Sequence, residues 1–525
     1  MIELGKKYTI LKDIGYLILL TLLAVFTFSR ALDFTFWRDD WAAYWGALHK
    51  TRIFYSYWLH PATTIEFIVL TKFLGLQIYK WQIFGLFLKI VLAYVVSKMV
   101  LGLTKSSLAG FLSGIFMAVS VIGLEATSWV SAHVAAVDGI FVCLSVYFAT
   151  RLRKAHSAHL LVFICWFILA LVSDPGRTMP LVLIIILLFY FFPHYLHQTQ
   201  RKRLMTLCIM MLGGLIAYIL YTDYKVLSET VVITFLSKYL HNPWIIVRKY
   251  YVIGNYFNSL ANLMVGWIMP MSERMSTGIY HRVLGRAGIL VLAATCFLVY
   301  TYVKKRNKTL GIYIFFMLWI FIFYIPNWFF EPRSTLTSTH RYMVISGIGF
   351  IGLLSFVLTQ MKSKMILVGL TLCFIIINIR TSKLLLGQYA SFRSRKYTDR
   401  IWDTIDQTIP KDVKASLFMF EGSAHLNDLA VGMSGEIPYA LRRNLQYTYE
   451  FPFTVNDESS VIQYLCKGDI IRNVVGERIL QKGNMSLSNI YAWQIHDDGT
   501  LTQISENVRD RLREKATALS CKIVE

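Results

Sequence analysis

The chain has 525 residues, 56% hydrophobic and only 16% charged, and its mean hydropathy of +0.51 excludes an ordinary soluble globular protein. Its net charge of +22 does not point to nucleic acid, because the lysines and arginines fall in short runs between apolar segments, as in cytoplasmic loops facing anionic lipid. The composition defines an integral protein of the lipid bilayer.

A spanning helix needs roughly 20 mostly apolar residues, somewhat fewer where the bilayer thins. The apolar stretches 14–32, 77–101, 107–124, 137–150, 159–174, 179–193, 204–222, 287–303, 309–325, 341–359 and 364–380 predict about 11 transmembrane helices. The first follows Lys6, Lys7 and Lys12 like a signal peptide but lacks a small-residue cleavage site, so it reads as a retained helix. Basic runs recur in alternate loops: the N-terminus, Lys98 to Lys105, Arg151 to Lys154, Arg201 to Arg203, Lys304 to Lys308, and Lys362 with Lys364. By the positive-inside rule these loops and the N-terminus are cytoplasmic. The acidic and mixed loops, 33–62 and 223–286 among them, then lie outside. Residues 251–270 are apolar enough to cross, but one crossing there would invert every later basic loop, so 223–286 is expected to hold an interfacial or re-entrant pair.

Beyond residue 380 the composition changes. Residues 399–423 read as a helix leading into a strand, and 489–505 as a hairpin turning at Asp497, Asp498 and Gly499. The expected division is a membrane domain, 1–380, and an extracytoplasmic α/β domain, 381–525. Cys143, Cys165, Cys208, Cys296 and Cys373 lie in apolar segments as small hydrophobes, whereas Cys466 and Cys521 belong to the outer domain, where a disulfide is permitted.

Ionisable residues near the membrane concentrate in the outer loops, which places a candidate site at the outer leaflet. The stretch "FTFWRDDWAAYWGAL" sets Asp39 and Asp40 among Trp37, Trp41, Tyr44 and Trp45. Adjacent carboxylates on a helix diverge by about 100°, so only one aims into a given cavity; a solvated loop paired with Arg38 is the plainer alternative. His60 and Pro61 open a short amphipathic helix. Glu125 and His133, eight residues apart, share a face if their segment is one helix. Asp174 and Arg177 form a tight outer turn. Arg333, His340 and Arg341 together supply donors for a phosphate, though each alone is compatible with an interfacial snorkel. Lys89 is the polar residue nearest the middle of a clear span, thin support for a transport path. No Walker loop, dinucleotide loop or zinc spacing is present.

Five stretches, in order, resemble the GT-C class of integral membrane glycosyltransferases, and most nearly the membrane part of tetratricopeptide-containing protein O-mannosyltransferases and their bacterial relatives. They are "RDDW" for the acidic first outer loop, "HPATTIEFIVLTKFLGL", "LEATSWVSAHVAAVDGIFVCLSVYFATR", "SDPGRTMPLVLIIILL" and "HRYMVISGIGFIGLLS". The likeness spans about 30–360. It departs at Ser120-Val121, where the family has His-Pro, at Lys89 for a histidine, at His340 for a glutamate, and in the absence of the repeat array.

The resemblance implies inverting transfer of a single sugar from a polyprenyl-phosphate donor, with Asp39 or Asp40 as base and Asp39 slightly preferred. Arg341, with Arg333, His340, Arg177 and Lys89, would face the donor phosphate; Glu125, His133, Asp174 and His60 would serve sugar or acceptor. No cofactor is implied. Some members of the superfamily use a divalent metal, but adjacent aspartates in place of an Asp-x-Asp pair lean toward metal independence. The expected acceptor is a lipid-linked or cell-surface glycan, with protein Ser/Thr as the alternative; a lipid-saccharide flippase and a diphosphate-dependent polymerase or ligase are the competing classes.

Overall fold

A computed structural model describes residues 2–37, 39–49, 61–152, 157–195, 206, 208–210, 213–214, 256, 260, 263–268, 280–305, 307–330, 339–411, 413, 416–422, 436–445, 452–455, 458–467, 471–472, 479–480, 485–496, 498 and 500–524. The expectations for His60, Arg333, most of 204–222 and most of 223–286 fall outside them.

The membrane part is a helical bundle. Its helices are α1 (Ile2–Phe28), α2 (Asp39–His49), α3 (Pro61–Leu74), α4 (Ile78–Thr104), α5 (Ser107–Val119), α6 (Glu125–Ser128), α7 (Val134–Ala149), α8 (Ser157–Ser173), α9 (Pro175–Thr178), α10 (Leu181–Phe191), α11 (Tyr280–Lys305), α12 (Lys308–Phe330), α13 (Val344–Thr359) and α14 (Lys364–Arg393). Pro61 opens α3 as expected, its missing N–H costing nothing in a first turn. Lys105, left-handed at φ 60°, ends α4, and the Ser106 side chain accepts from Ala109 N to start α5, so the two helices fold back as a tight pair. Gly114 lets α5 lie close to both α1 and α4: a Cβ there would collide with Tyr16 Oη and stand 3.0 Å from Ala93 O.

Among the described residues six helices are long and apolar enough to cross a membrane: Leu11–Asp33, Ile78–Thr104, Val130–Ala149, Lys308–Asn327, Arg341–Thr359 and Lys364–Arg393. His159–Ser173 and Pro175–Phe191 pass only as a pair bent by 116°, broken at Asp174 and Pro175. The expected stretch 107–124 yields a shorter helix, Ser107–Val119, because Ser120 turns to extended backbone and Gly123 takes φ +62°. Around residues 251–270 the described positions are helical and packed: Tyr256 donates to Phe321 O at 2.5 Å, and Trp267 is buried against Phe350.

The break at residue 380 is displaced. α14 continues to Arg393, and the change of fold falls at Ser394, the N-cap of α15 (Arg395–Thr408). Then come β1 (Leu417–Glu421), α16 (Glu436–Arg442), β2 (Phe453–Val455), α17 (Glu458–Ile462), β3 (Ile471–Arg472), β4 (Ile479–Leu480), β5 (Ile490–Ile495), β6 (Leu501–Gln503) and α18 (Ser505–Ala518). The main sheet runs β2-β1-β5-β6, parallel except for the β5–β6 hairpin, while β3 and β4 form a separate antiparallel pair. This matches the expected helix-to-strand unit and hairpin. A disulfide joins Cys466 and Cys521.

α15 buries Tyr397, Ile401, Trp402 and Ile405 on one stripe, and its other face presents Asp399, Asp403 and Asp406 to Arg442. The buried stripe joins Phe418, Phe420 and Trp493 of the sheet to Trp37 and Trp129 of the membrane part in one apolar cluster. The α/β domain therefore sits on the side of the bundle that carries the acidic first loop.

Candidate active site

The acidic loop is held from both sides. Thr35 N donates to Arg393 O at 2.9 Å, and Phe34 bridges Ser394, so the end of α14 fixes the backbone just before α2. Within this frame the two aspartates separate. Asp40 is fully buried; one carboxylate oxygen accepts Trp37 N at 2.8 Å, and the other accepts both the N–H (2.6 Å) and the hydroxyl of Ser131. Burial pushes Asp40 up to about 6, opposed by these hydrogen bonds and by the charge of Arg393. Asp39 is exposed on the first turn of the same helix and has no hydrogen-bond partner among the described residues. Asp40 thus anchors α2 to the turn before α7, and Asp39 carries the accessible carboxylate.

That turn also carries Trp129. Its indole N–H donates to Trp37 O at 3.1 Å, and the guanidinium of Arg341 lies 4.3 Å from its ring centroid. The Arg341 backbone N–H donates to Glu125 Oε2 at 3.2 Å, and His340 Nε2 is 3.9 Å from the same oxygen. His340 Nδ1 accepts from Tyr342 N at 3.3 Å, which leaves any neutral-ring proton on the Nε2 that faces Glu125. Asn327, just past Pro326 in α12, donates to Tyr342 O at 2.8 Å and pins the turn from the other side. The guanidinium of Arg341 is therefore presented by a turn whose backbone is fixed at both Arg341 and Tyr342.

Arg177 is committed elsewhere. Its Nε is 3.0 Å from Asp174 Oδ2, its Nη1 3.6 Å from Asp138 Oδ2, and its guanidinium lies 4.5 Å over the Tyr342 ring. Asp138 also accepts from Ser173 Oγ at 2.7 Å. With Asp174 and Asp138 close to its guanidinium, Arg177 packs on Tyr342 and braces the Arg341–Tyr342 turn. Lys89 is buried and donates to Ser120 O and Ile122 O, at 3.2 and 3.3 Å, supplying the carbonyls freed where α5 ends. These contacts bind Lys89 to the backbone of the bundle.

Glu125 and His133 do not share a helix face. The backbone becomes extended at Trp129 and passes through a 3-10 turn, Val130–Ala132, before α7 begins. His133 instead pairs through Nδ1 with Glu66 of α3 at 3.0 Å, both buried, while Glu125 turns to the 340–341 turn. Burial raises Glu66 from the ordinary carboxylate range, with His133 opposing the shift.

Asp174, Arg177, Glu125, His340 and Arg341 are thus one connected set, and Asp39 adjoins it through the Trp37–Trp129 contact. Ser131, Glu66, Asp138, Asn327 and Arg393 escaped the sequence reading: four sit in apolar or helical stretches, and nothing in the serine's setting marks it. As a metal pair, Asp39 and Asp40 fit poorly, because both oxygens of Asp40 are engaged. The arrangement offers an exposed carboxylate at the start of α2, whose preceding loop is fastened by Trp129, and a guanidinium over the ring of that same tryptophan; a carboxylate and a cation are the groups needed to move a proton from a hydroxyl while an anion develops.

No family model matches the chain, and no curated protein matches it. Among solved structures, the archaeal oligosaccharyltransferase AglB from Archaeoglobus fulgidus, in complex with an inhibitory peptide and a dolichol-phosphate, is similar at a TM-score of 0.42 and 11% identity, covering 91% of this chain and 74% of that one. ArnT from Cupriavidus metallidurans, bound to undecaprenyl phosphate, is similar at a TM-score of 0.42 and 14% identity, covering 92% and 93%. Likenesses of this size carry no function by themselves.

Proposed function

We propose that the chain is an integral membrane glycosyltransferase of the GT-C type. In this reading it transfers a single sugar, with inversion, from a polyprenyl-phosphate donor to a lipid-linked or cell-surface glycan. The observation that carries the reading is Trp129, whose N–H holds the carbonyl two residues before Asp39 while its ring lies under Arg341. A guanidinium held over the ring whose N–H fastens the loop that bears an exposed carboxylate suits an acid–base step coupled to departure of a phosphate.

In the proposed reaction Asp39 accepts the proton of the acceptor hydroxyl as its oxygen bonds to the anomeric carbon. The bond from that carbon to the phosphate oxygen breaks, and the polyprenyl phosphate leaves, changing from a diester with one negative charge to a monoester with two. Arg341 stabilises the charge that appears, with His340 as a second donor. Glu125 orients this pair through the Arg341 backbone; Arg177, Asp174 and Asp138 hold Tyr342; and the Glu66–His133 pair fixes α3 beside the site. The acceptor approaches from the α/β domain, and the prenyl chain lies in the bilayer. We place the site outside a bacterial plasma membrane with the N-terminus in the cytoplasm, in keeping with the basic runs and the Cys466–Cys521 disulfide.

Purified protein in nanodiscs should release polyprenyl phosphate from one member of a panel of polyprenyl-phosphate sugars when a glycan acceptor is supplied. Peptide Ser/Thr modification in place of glycan modification would change the acceptor. Translocation of the lipid-sugar across the bilayer with no cleavage would overturn the enzyme reading.

A further inference from the structure

Both ends of the two peripheral membrane helices carry cations. α1 contains Lys6, Lys7 and Lys12 and is followed by Arg30; α14 starts beside Lys362 and Lys364 and carries Arg380 and Lys383 in its second half. At about 1.5 Å per residue, Arg30, Arg380 and Lys383 all stand about 24–29 Å from the opposite ends of their spans, the depth of the far headgroups. Contacts put α1 and α14 in register there. Lys383 Nζ is 3.3 Å from the Phe26 ring centroid, and Arg30 Nη1 lies 3.0 Å from the point a Cβ on Gly387 would occupy.

α14 buries Phe374, Asn378, Ser382 and Leu386, so helical geometry turns Arg380, Lys383 and Gly387 away from the bundle. Leu22, Phe26, Ile376 and Leu384 are exposed around them, an apolar surface suited to acyl chains. Among the described residues none of the three cations has a carboxylate at ion-pair distance; Asp33, the acid nearest Arg30 in sequence, is 3.5 Å from Arg395 instead. A single cation here is an ordinary snorkel. Three on one lipid-facing groove, with no acid among them, complement an anion at headgroup level.

We propose that the groove between α1 and α14 binds the headgroup phosphate of an anionic glycerophospholipid in the leaflet next to the α/β domain. The site is separate from the catalytic cluster and does not depend on the function proposed for it. Native mass spectrometry of the full chain in detergent, titrated with phosphatidylglycerol or phosphatidylcholine, tests it. Wild type should retain phosphatidylglycerol in preference, and the triple variant Arg30→Gln/Arg380→Gln/Lys383→Gln should lose about fivefold in affinity per cation removed. Lys6→Gln/Lys7→Gln/Lys12→Gln should keep the preference. If the outer triple variant misfolds, Arg380→Gln alone is read, because that side chain is exposed. Equal retention by wild type and variant would overturn the proposal, as would displacement of the lipid by inorganic phosphate or by a polyprenyl phosphate.

Discussion

Ser131 gives Asp40 two donors, its backbone N–H and its hydroxyl, and thereby ties the start of α2 to the turn before α7. A carboxylate spent in this way suits a structural role, and the two aspartates can be told apart by their variants. Asp40→Asn should destabilise the protein by about 1–3 kcal/mol, since a buried acceptor is lost and the new amide N–H₂ faces donors. Asp39→Asn should leave thermal unfolding unchanged and reduce sugar transfer by about 10²–10⁴-fold. Thermal scans and single-turnover rates on the two variants separate the roles, and the reverse pattern would exchange them.

The same burial gives Asp40 a pH signature. Burial pushes it up to about 6, above the ordinary aspartate value of 3.8, so between those pH values the unfolded chain gives up the proton first. The contribution of Asp40 to stability should therefore be greatest below about pH 4, fall as pH rises toward 6, and stay level above it. Asp40→Asn should remove this component, measurable as the difference between wild-type and variant unfolding midpoints from pH 4 to 7.

Arg341 and Trp129 predict a graded series. Arg341→Ala should lower turnover by about 10²–10³-fold, and Arg341→Lys should restore part of it because the charge remains without the fork of donors. Trp129→Phe keeps a ring under the guanidinium but leaves Trp37 O without its indole donor, at a cost of about 1 kcal/mol in stability. Trp129→Leu should lose both contacts and fall below Trp129→Phe in rate. Turnover and melting midpoint on the four variants check the order.

The disulfide links Cys466 to Cys521 across 55 positions of the α/β domain. Its removal by Cys466→Ser/Cys521→Ser should cost about 2–4 kcal/mol. Thiol titration of the unfolded chain should find five free thiols without reductant and seven with it.

Because Asp40 is occupied by Trp37 and Ser131, the adjacent acids cannot both turn to one cation without releasing the loop. Turnover is expected to survive a chelator undiminished. Rates before and after chelation, with magnesium or manganese restored, provide the measurement.

Apolar periodicity made the helical bundle legible, and the same was true of Pro61 at the start of α3 and of the β5–β6 hairpin. What could not be read was pairing across long separations. Glu125 and His133 stand on one face of an ideal helix, but the extended residue at Trp129 breaks that helix and sends them to His340 and Glu66. Lys89 read as a charge in a span because its partners are backbone carbonyls, which no sequence pattern displays. The approach of Asp138 to Arg177 is equally hidden, because Asp138 sits in an apolar run 39 positions earlier.

α14 leaves the membrane without a break and ends at Arg393, whose side chain donates to Ser128 O at 2.7 Å and whose carbonyl accepts from Thr35. One residue thus grips both backbone segments that bracket the tryptophan contact at the site. For anyone building chimaeras, the usable splice is at Ser394, with Arg393 retained. A graft made at the hydropathy boundary near 380 would exchange the clasp along with the domain and leave the acidic loop without its fastening.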